Sequence, residues 1–296
     1  MKILVTGVTG FIGRHLAIRA LKDGHRVCAI IRNQAVQSEM EKMNVACFID
    51  NDSIADLIDY YEREKFDGVI HCASYFRMEH QPEEIRDLIH SNVYFPTKLL
   101  ESSIRTGVKW FINTGTFWQH YDNRNYSPVN LYAATKQAFE SIAAYHLEIS
   151  NINFVTLKLM DTYGPYDTRP KIFTLWKKIA ETGEMLEMSQ GEQLIDIVHV
   201  DDVVDAYFRM AELLRDDSTG VFKGQSFAVS SGTPISLRKL ADIYAKVTGS
   251  KLNIEWGKKP YRKREVMVPW NQGQIIPGWR QKISLDEGIA SLFSHK

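Results

Sequence analysis

The sequence predicts an α/β fold in which a doubly wound parallel sheet carries a smaller C-terminal lobe. Short apolar runs alternate with amphipathic stretches along most of the chain, and a glycine-rich turn follows the first apolar run. Beyond Tyr163 this regularity falls, and Pro and Trp become frequent. Strands that alternate with helices form parallel sheets that are covered on both faces.

The apolar runs predict strands, and the amphipathic stretches between them predict helices. The predicted strands are Lys2–Thr6, Arg26–Ile31, Val45–Ile49, Gly68–Cys72, Lys109–Asn113 and Asn153–Leu159. The predicted helices are Gly13–Lys22, Ser53–Arg63, Glu83–Thr106 and Leu131–Ser150. We assign residues 1–165 to a nucleotide-binding domain and residues 166–195 and 226–296 to the smaller lobe. Residues 196–225 are expected to return to the first domain, because Glu192–Met210 again has the pattern of a strand followed by a helix.

The overall charge excludes two classes of partner. Lys plus Arg and Asp plus Glu both number 36, so the chain has no global field to attract nucleic acid or an anionic membrane. No signal peptide or membrane-spanning run is evident, and Cys28, Cys47 and Cys72 have no CxxC spacing. We therefore expect a cytoplasmic protein with reduced thiols, a small-molecule substrate, and neither nucleic acid nor membrane as partner.

The glycine-rich turn, Thr6 to Gly13, lies between the first strand and the first helix with the spacing GxxGxxG. Such a turn lets the backbone approach a diphosphate closely and presents the free N–H groups of a helix N-terminus. In this context it predicts a Rossmann-type site for a dinucleotide.

The end of the second strand indicates which dinucleotide is bound. An acidic residue there would bind the ribose 2′-hydroxyl of NAD, but no carboxylate occurs from Val27 to Gln37. Arg32 instead follows that strand and is suited to pair with a 2′-phosphate, with Arg14 as a candidate helper. We expect NADP(H) as cofactor, with NAD(H) the less favoured alternative.

Tyr132 and Lys136 are four residues apart in a predicted helix, so both lie on one face. An ammonium group close to the phenol favours the phenolate and assists proton transfer. Thr116 follows a predicted strand, and its hydroxyl is a candidate to hold the reacting oxygen beside Tyr132. Asn92, in a neighbouring predicted helix, is a candidate to fix the local backbone or a water path through its side-chain amide. His199 has no second His or Cys at ligand spacing, and we predict no metal site.

Taken together, the motifs resemble the extended short-chain dehydrogenase/reductase family, in its branch of nucleotide-sugar epimerases, dehydratases and reductases. The segments that carry the resemblance are Thr6–Gly13, Val69–Ser74, Tyr132–Lys136, Asp161–Pro165 and Asp196–Val203. The resemblance implies that Thr116, Tyr132 and Lys136 are catalytic. The cofactor contacts expected with it are Gly7, Thr9, Gly10, Phe11, Ile12, Gly13, Arg32, Asp50, Asn51, Cys72, Ala73, Ser74, Asn92, Thr114, Tyr132, Lys136 and Tyr163.

The residues after Thr116 limit the types of reaction that the site could catalyse. Dehydratases of this branch have an Asp-Glu pair there, whereas Phe117 and Trp118 cannot exchange protons. The C-terminal half is similar to that of nucleotide-deoxysugar 4-ketoreductases, which implies a substrate diphosphate at Arg262. In place of the family's second arginine stands Ile195, for which Arg169, Lys171 or Arg264 are candidate substitutes. The expected substrate contacts are Thr116, Phe117, Trp118, Arg169 and Arg262.

We therefore predict an NADPH-dependent reductase of the 4-keto group of a nucleotide-linked 6-deoxyhexose. The first alternative is a nucleotide-sugar 4-epimerase with tightly bound NAD, and the second is a redox-silent protein that senses NADP(H). A substrate without a nucleotide diphosphate stays open because of Ile195. By resemblance, helices 83–106 and 131–150 would form a homodimer interface.

Overall fold

The computed structural model describes residues 1–293. Its strands are β1 (Lys2–Thr6), β2 (Arg26–Ile31), β3 (Ala46–Ile49), β4 (Gly68–His71), β5 (Trp110–Thr116), β6 (Asn153–Leu159), β7 (Asp161–Tyr163), β8 (Leu186–Met188), β9 (Leu194–Ile195), β10 (Ile197–His199), β11 (Ser226–Val229), β12 (Ile235–Ser236), β13 (Ile254–Trp256) and β14 (Gln274–Ile275). Its α-helices are α1 (Phe11–Lys22), α2 (Gln37–Lys42), α3 (Ile54–Glu64), α4 (Ile85–Ile89), α5 (Phe95–Arg105), α6 (Leu131–Ile149), α7 (Ile172–Thr182), α8 (Val200–Asp216), α9 (Leu237–Thr248) and α10 (Leu285–Ser291).

The main sheet has eight strands in the order β14-β11-β6-β5-β4-β1-β2-β3, and every neighbouring pair is parallel. The predicted fold class is confirmed. From β1 the chain builds outwards to β2 and β3, then returns to β4 on the other side of β1. Ligands of such sheets bind at the carboxyl ends of the strands where this order reverses, which here is between β1 and β4.

Two apolar layers cover the faces of this sheet. Ile3 and Val5 point into the layer formed with α1 and α8, whereas Leu4 between them points into the layer formed with α3, α5 and α6. Strands buried on both faces carry nearly continuous apolar runs rather than alternating ones, as β2 does after Arg26. Both layers of helices are therefore built on the sheet that positions the cleft.

The sheet extends past the predicted domain boundary at residue 225. β11 pairs with β6 and β14 pairs with β11, although both lie in the range assigned to the smaller lobe. The physical reason is that all seven residues of β6 are buried, so the strand needs a partner on its outer side.

Two other elements differ from the prediction. β5 continues beyond Asn113 to Thr116, because Thr114 to Thr116 stay in register with the end of β6. The single helix predicted over 83–106 is divided into α4 and α5 by a π-turn at His90–Tyr94. Such turns interrupt helices and often mark functional sites.

The smaller lobe has a core of its own, in which Trp176 of α7 and Tyr244 of α9 are fully buried. Two-stranded ladders join β8 to β13 and β9 to β12, while β10 pairs with β7 at the junction with the main sheet. In the part of the chain that the structure describes, no helix combines the length and the hydropathy needed to cross a membrane.

Candidate active site

The glycine-rich turn between β1 and α1 has the tight form that the sequence predicts. Gly7 has a φ of +76°, and the Gly10 N–H donates to the Gly7 carbonyl at 2.9 Å. A Cβ on Gly13 would lie 2.1 Å from the Gly7 carbonyl oxygen, so only glycine fits there. Because no side chain caps α1, the N–H groups of its first turn face the cleft without an internal acceptor.

A cavity of about 280 Å³ opens over this turn at the carboxyl ends of the strands. Its lining includes eight of the predicted cofactor residues, namely Gly7, Thr9, Gly10, Arg32, Asp50, Cys72, Ala73 and Ser74. Phe11, Ile12 and Gly13 form the first turn of α1 beside it. The structure therefore collects most of the predicted dinucleotide contacts along one edge of the sheet.

Four other predicted cofactor residues are placed differently. The Asn51 side chain is directed to Asp56 and to the N–H of Ser53, and does not line the cavity. Thr114 Oγ1 donates to the His71 carbonyl and bonds Tyr207 Oη at 2.6 Å, beneath Cys72. 

Asn92, in the π-turn, is buried and connects the segment after β4 to α6. Its side chain bonds both backbone groups of Tyr75 and donates to Thr135 Oγ1 at 3.0 Å. Tyr163, expected at the nicotinamide, instead packs in the smaller-lobe core against Phe173 and His199. Because apolar side chains of the smaller lobe surround the end of β7, the Tyr163 ring packs among them and not in the cleft.

Arg32 and Arg14 differ in their availability for a phosphate. Arg32 is exposed at the cavity rim, and none of the other described residues pairs with it. Arg14 instead forms an ion pair with Glu39 at 2.7 Å. Arg32 is therefore the available guanidinium at the end of β2.

The three predicted catalytic residues come from two elements that meet at the cleft. Thr116 ends β5, and Tyr132 and Lys136 lie on successive turns of α6. Asn130 begins this helix by accepting a hydrogen bond from the Ala133 N–H at 3.0 Å. The Thr116 hydroxyl accepts from the Trp118 N–H at 3.3 Å, so its own proton is free to be donated.

Burial sets the protonation of the two titrating groups. It raises the pKa of Tyr132, and a hydrogen bond from Ser74 and the charge of Arg169 oppose this shift. Burial outweighs the positive charge of Arg169, so the neutral phenol is favoured here, while the expected effect of the Lys136 ammonium on Tyr132 stays a prediction. Burial also lowers the pKa of Lys136 to about 8, against the opposing influence of Cys72 and Glu140. Near neutral pH the pair consists of a neutral phenol and a largely protonated amine.

An aromatic wall borders Tyr132. We give this name to Phe76, Phe117 and Trp118. The Phe76 ring lies 5.0 Å from that of Tyr132 and 5.7 Å from that of Trp118. Phe117 and Trp118 were predicted as substrate contacts, whereas Phe76 was missed, because a single aromatic residue in an irregular segment has no periodic pattern.

Basic side chains lie around this wall. Arg262 is 5.9 Å from the Trp118 ring and pairs with Glu265 at 2.6 Å, while Lys171 is 5.6 Å from the Phe76 ring. Arg169 stacks on Phe11 at 4.5 Å and forms hydrogen bonds with Asp167.

Arg264 and Ile195, the two other positions considered for the substrate diphosphate, lie elsewhere in the smaller lobe. Arg264 donates to Ser127 Oγ at 2.7 Å and covers the Tyr121 ring. Ile195 pairs with Ile235 in the β9–β12 ladder. Among the four basic residues considered for the substrate diphosphate, Arg262 and Lys171 are thus the two that approach rings of the aromatic wall.

A buried polar network holds Thr116 from behind. Gln119 is fully buried, and its Oε1 accepts from the Thr116 N–H at 3.0 Å. Its Nε2 donates to Gln137 at 2.8 Å and to Glu140 at 2.9 Å, both on α6. The network therefore joins the strand end that carries Thr116 to the helix that carries Tyr132.

Residues 3–223 match the model of the NAD dependent epimerase/dehydratase family. The chain is 30% identical to CDP-abequose synthase of Salmonella typhimurium over 98% of this chain and 96% of the relative. It is 25% identical to UDP-glucose 4-epimerase of Mycolicibacterium smegmatis over 98% of this chain and 96% of that one.

Solved structures share the fold at lower identity. The UDP-glucose 4-epimerase of Thermotoga maritima, solved with UDP-glucose, superposes with a TM-score of 0.83 at 23% identity, covering 99% of this chain and 97% of that one. MoeE5, solved with UDP-glucuronic acid and NAD, has a TM-score of 0.81 at 22% identity, covering 98% and 97%.

Proposed function

The chain belongs to the NAD-dependent epimerase/dehydratase family, and we propose that it reduces the 4-keto group of a nucleotide-linked 6-deoxyhexose with NADPH. The family and the relatives make it an oxidoreductase-type enzyme that modifies nucleotide sugars. The finer assignment is carried by one observation: Tyr132, with a phenol proton to donate, shares a helix face with Lys136, and their helix meets the end of β5 that carries Thr116.

NADPH, when bound, supplies the hydride to the keto carbon. The turn from Gly7 to Gly13 would hold its diphosphate, and Lys136 its nicotinamide ribose. Tyr132 Oη gives its proton to the carbonyl oxygen as negative charge develops there. The Thr116 hydroxyl, with its proton unused internally, orients the same oxygen.

Phe117 and Trp118 support reduction over elimination of water. Elimination needs a general acid and a general base beside the reacting carbons, and these two side chains offer neither. The similarity to CDP-abequose synthase over nearly the whole chain supports a deoxysugar product and makes a CDP-linked substrate the first to test. Arg262 and Lys171, beside the aromatic wall, are the proposed partners of its diphosphate.

The mechanism is tested by Tyr132→Phe, with turnover of CDP-, dTDP- and UDP-linked 4-keto-6-deoxyhexoses measured through NADPH oxidation. We expect turnover to fall by about 100-fold or more while the Kd for NADPH changes little, because only the proton donor is lost. Lys109→Met, in the loop before β5, is a distant control that should retain full activity. Wild-type turnover in the Phe variant would contradict the proton-donor role.

The cofactor assignment is tested by Arg32→Ala in calorimetric titrations with NADPH and NADH. We expect the Kd for NADPH to rise about tenfold or more and that for NADH to change little, because Arg32 is the free guanidinium at the end of β2. Equal effects on both cofactors would refute recognition of the 2′-phosphate.

A 4-epimerase is the second candidate, favoured by the relatives and solved structures of that activity. Protein that is purified with bound NAD and interconverts C4 epimers without net reduction would establish it. Binding of NADPH without turnover of any substrate in the panel would instead support the sensing role.

We also propose a homodimer through α4, α5 and α6. Large apolar side chains on these helices and on the π-turn between α4 and α5 are exposed, among them Ile89, Tyr94, Tyr145 and Ile149. Sedimentation velocity would test this proposal: Tyr145→Glu and Ile149→Glu should shift a dimer to monomer, and a monomeric wild type would contradict it.

A further inference from the structure

A buried lysine lies behind the far end of the dinucleotide cavity. Lys98 of α5 is 2% exposed, and its Nζ is 2.7 and 3.0 Å from the two carboxylate oxygens of Asp50 and 2.9 Å from Asp52 Oδ1. Lysine is seldom buried this completely unless it is paired. Burial opposes the charge of Lys98, but the two carboxylates outweigh it and raise the pKa of Lys98. The ammonium therefore stays charged beside Asp50.

Asp50 is the member of this pair that faces the cavity. It follows β3 directly, its side chain is 6% exposed, and its N–H donates to the Ile31 carbonyl at 2.8 Å. β3 is two strands away from β1, which corresponds to about 10 Å at the usual strand spacing. A dinucleotide whose diphosphate lies on the glycine turn after β1 thus has its ribose near Arg32 after β2, and its base at Asp50.

The hydrogen bonds on the Asp50 carboxylate leave it one free acceptor position. Lys98 Nζ occupies one position on each oxygen, and the Asp52 N–H donates to Oδ1 at 3.2 Å. A carboxylate offers about four such positions in all. The three protons of Lys98 are all used on Asp50 and Asp52, so Lys98 offers no donor to a ligand. The Asp50–Lys98 pair therefore presents a base with an acceptor only.

We propose that Lys98 is a positioning residue that fixes the Asp50 carboxylate so that it selects a base with an amino group at position 6. Adenine presents an N–H donor there, whereas a 6-oxo base presents an oxygen that the carboxylate repels. Without Lys98 the carboxylate is free to rotate away from the base, so that both the hydrogen bond to adenine and the repulsion of a 6-oxo base are lost. This inference rests on the dinucleotide site of the proposed function and is independent of the sugar substrate.

The test is a pair of calorimetric titrations with reduced dinucleotides that differ only at position 6 of the base. NADPH is compared with its hypoxanthine analogue, or NADH with its own analogue if the wild type binds NADH more tightly. For the wild type we expect the adenine form to bind about tenfold tighter or more, as for a hydrogen bond to a charged acceptor. In Lys98→Met the ratio of the two Kd values should fall to near one.

Two further variants keep the result interpretable. Lys109→Met is the matched control, because Lys109 is an exposed lysine that does not line the cavity, so the wild-type ratio should persist. If Lys98→Met does not fold, Lys98→Gln retains a hydrogen-bond donor without the charge, and the ratio should again fall. A folded Lys98 variant with the wild-type ratio would reduce Lys98 to a structural ion pair and overturn the proposal.

Failure of this inference is distinguishable from failure of the proposed reaction. A wild type that reduces the sugar but binds both bases equally refutes only the role of Lys98. A wild type that prefers adenine through Lys98 but reduces none of the sugars refutes only the reaction.

Discussion

Replacing Gln119 by Met tests whether the buried network behind Thr116 holds the site together. Met has nearly the shape of Gln, so the change removes hydrogen bonds and little volume. Three bonds are lost: one from the Thr116 N–H at 3.0 Å, and two to Gln137 and Glu140 at 2.8 and 2.9 Å.

The free-energy cost follows from where these groups lie. The Thr116 N–H is left buried without an acceptor, which costs about 1–3 kcal/mol, and loss of the two partly solvated bonds adds roughly 1 kcal/mol. A destabilisation of about 2–4 kcal/mol lowers the Tm of a chain of this size by roughly 3–6 °C. Thr116 also loses its fixed position, so kcat should fall about 10- to 100-fold.

Thermal unfolding followed by circular dichroism measures the first effect, and NADPH oxidation measures the second. Gln137→Met is the matched control, because Gln119 still bonds Thr116 and Glu140 there, so a Tm loss of about 1–2 °C or less is expected. A Gln119→Met variant that melts with the wild type would refute the reasoning.

Two further changes act at the cofactor side of the site. The pKa of Lys136 is lowered to about 8 by burial and supported by Glu140. Turnover should therefore decline above about pH 8. Glu140→Gln removes a negative charge that raises the pKa of Lys136, so it should move this decline to lower pH. A pH–rate profile that does not move would exclude the influence of Glu140 on Lys136. Gly13→Ala should abolish dinucleotide binding in calorimetry, since its Cβ would lie 2.1 Å from the Gly7 oxygen. Gly24→Ala is the control: Gly24 has a positive φ, and an added Cβ would meet no atom within 4 Å, so this variant should lose some stability and keep the cofactor. Retained binding in Gly13→Ala would show that the turn can move.

Local patterns were sufficient to predict the sheet and its first turn. β1, β2 and β6 begin and end where the sequence predicts, because each is an apolar run with clear turn residues around it. The i,i+4 spacing likewise placed Tyr132 and Lys136 on one helix face.

Features that depend on distant contacts could not be predicted in this way. Lys98 has the spacing of an ordinary surface lysine, and only the folded chain brings Asp50 to it, 48 residues away. Gln119 likewise gains its role through α6. Tyr163 was misplaced because its motif says nothing about Phe173, whose ring packs against it.

The last two strands of the main sheet, β11 and β14, have a consequence for synthesis of the protein. On the ribosome, the nascent chain can pair β1 to β6 before residue 226 has been made, but β6, whose residues are all buried in the finished fold, then has an open edge. That edge is closed only after Ser226–Val229 emerges, and β14 follows some fifty residues later. The translating polypeptide thus passes through a stage in which the unpaired edge of β6 is available to chaperones or to another unfinished copy. A stalled or truncated product that ends before residue 226 would be aggregation-prone.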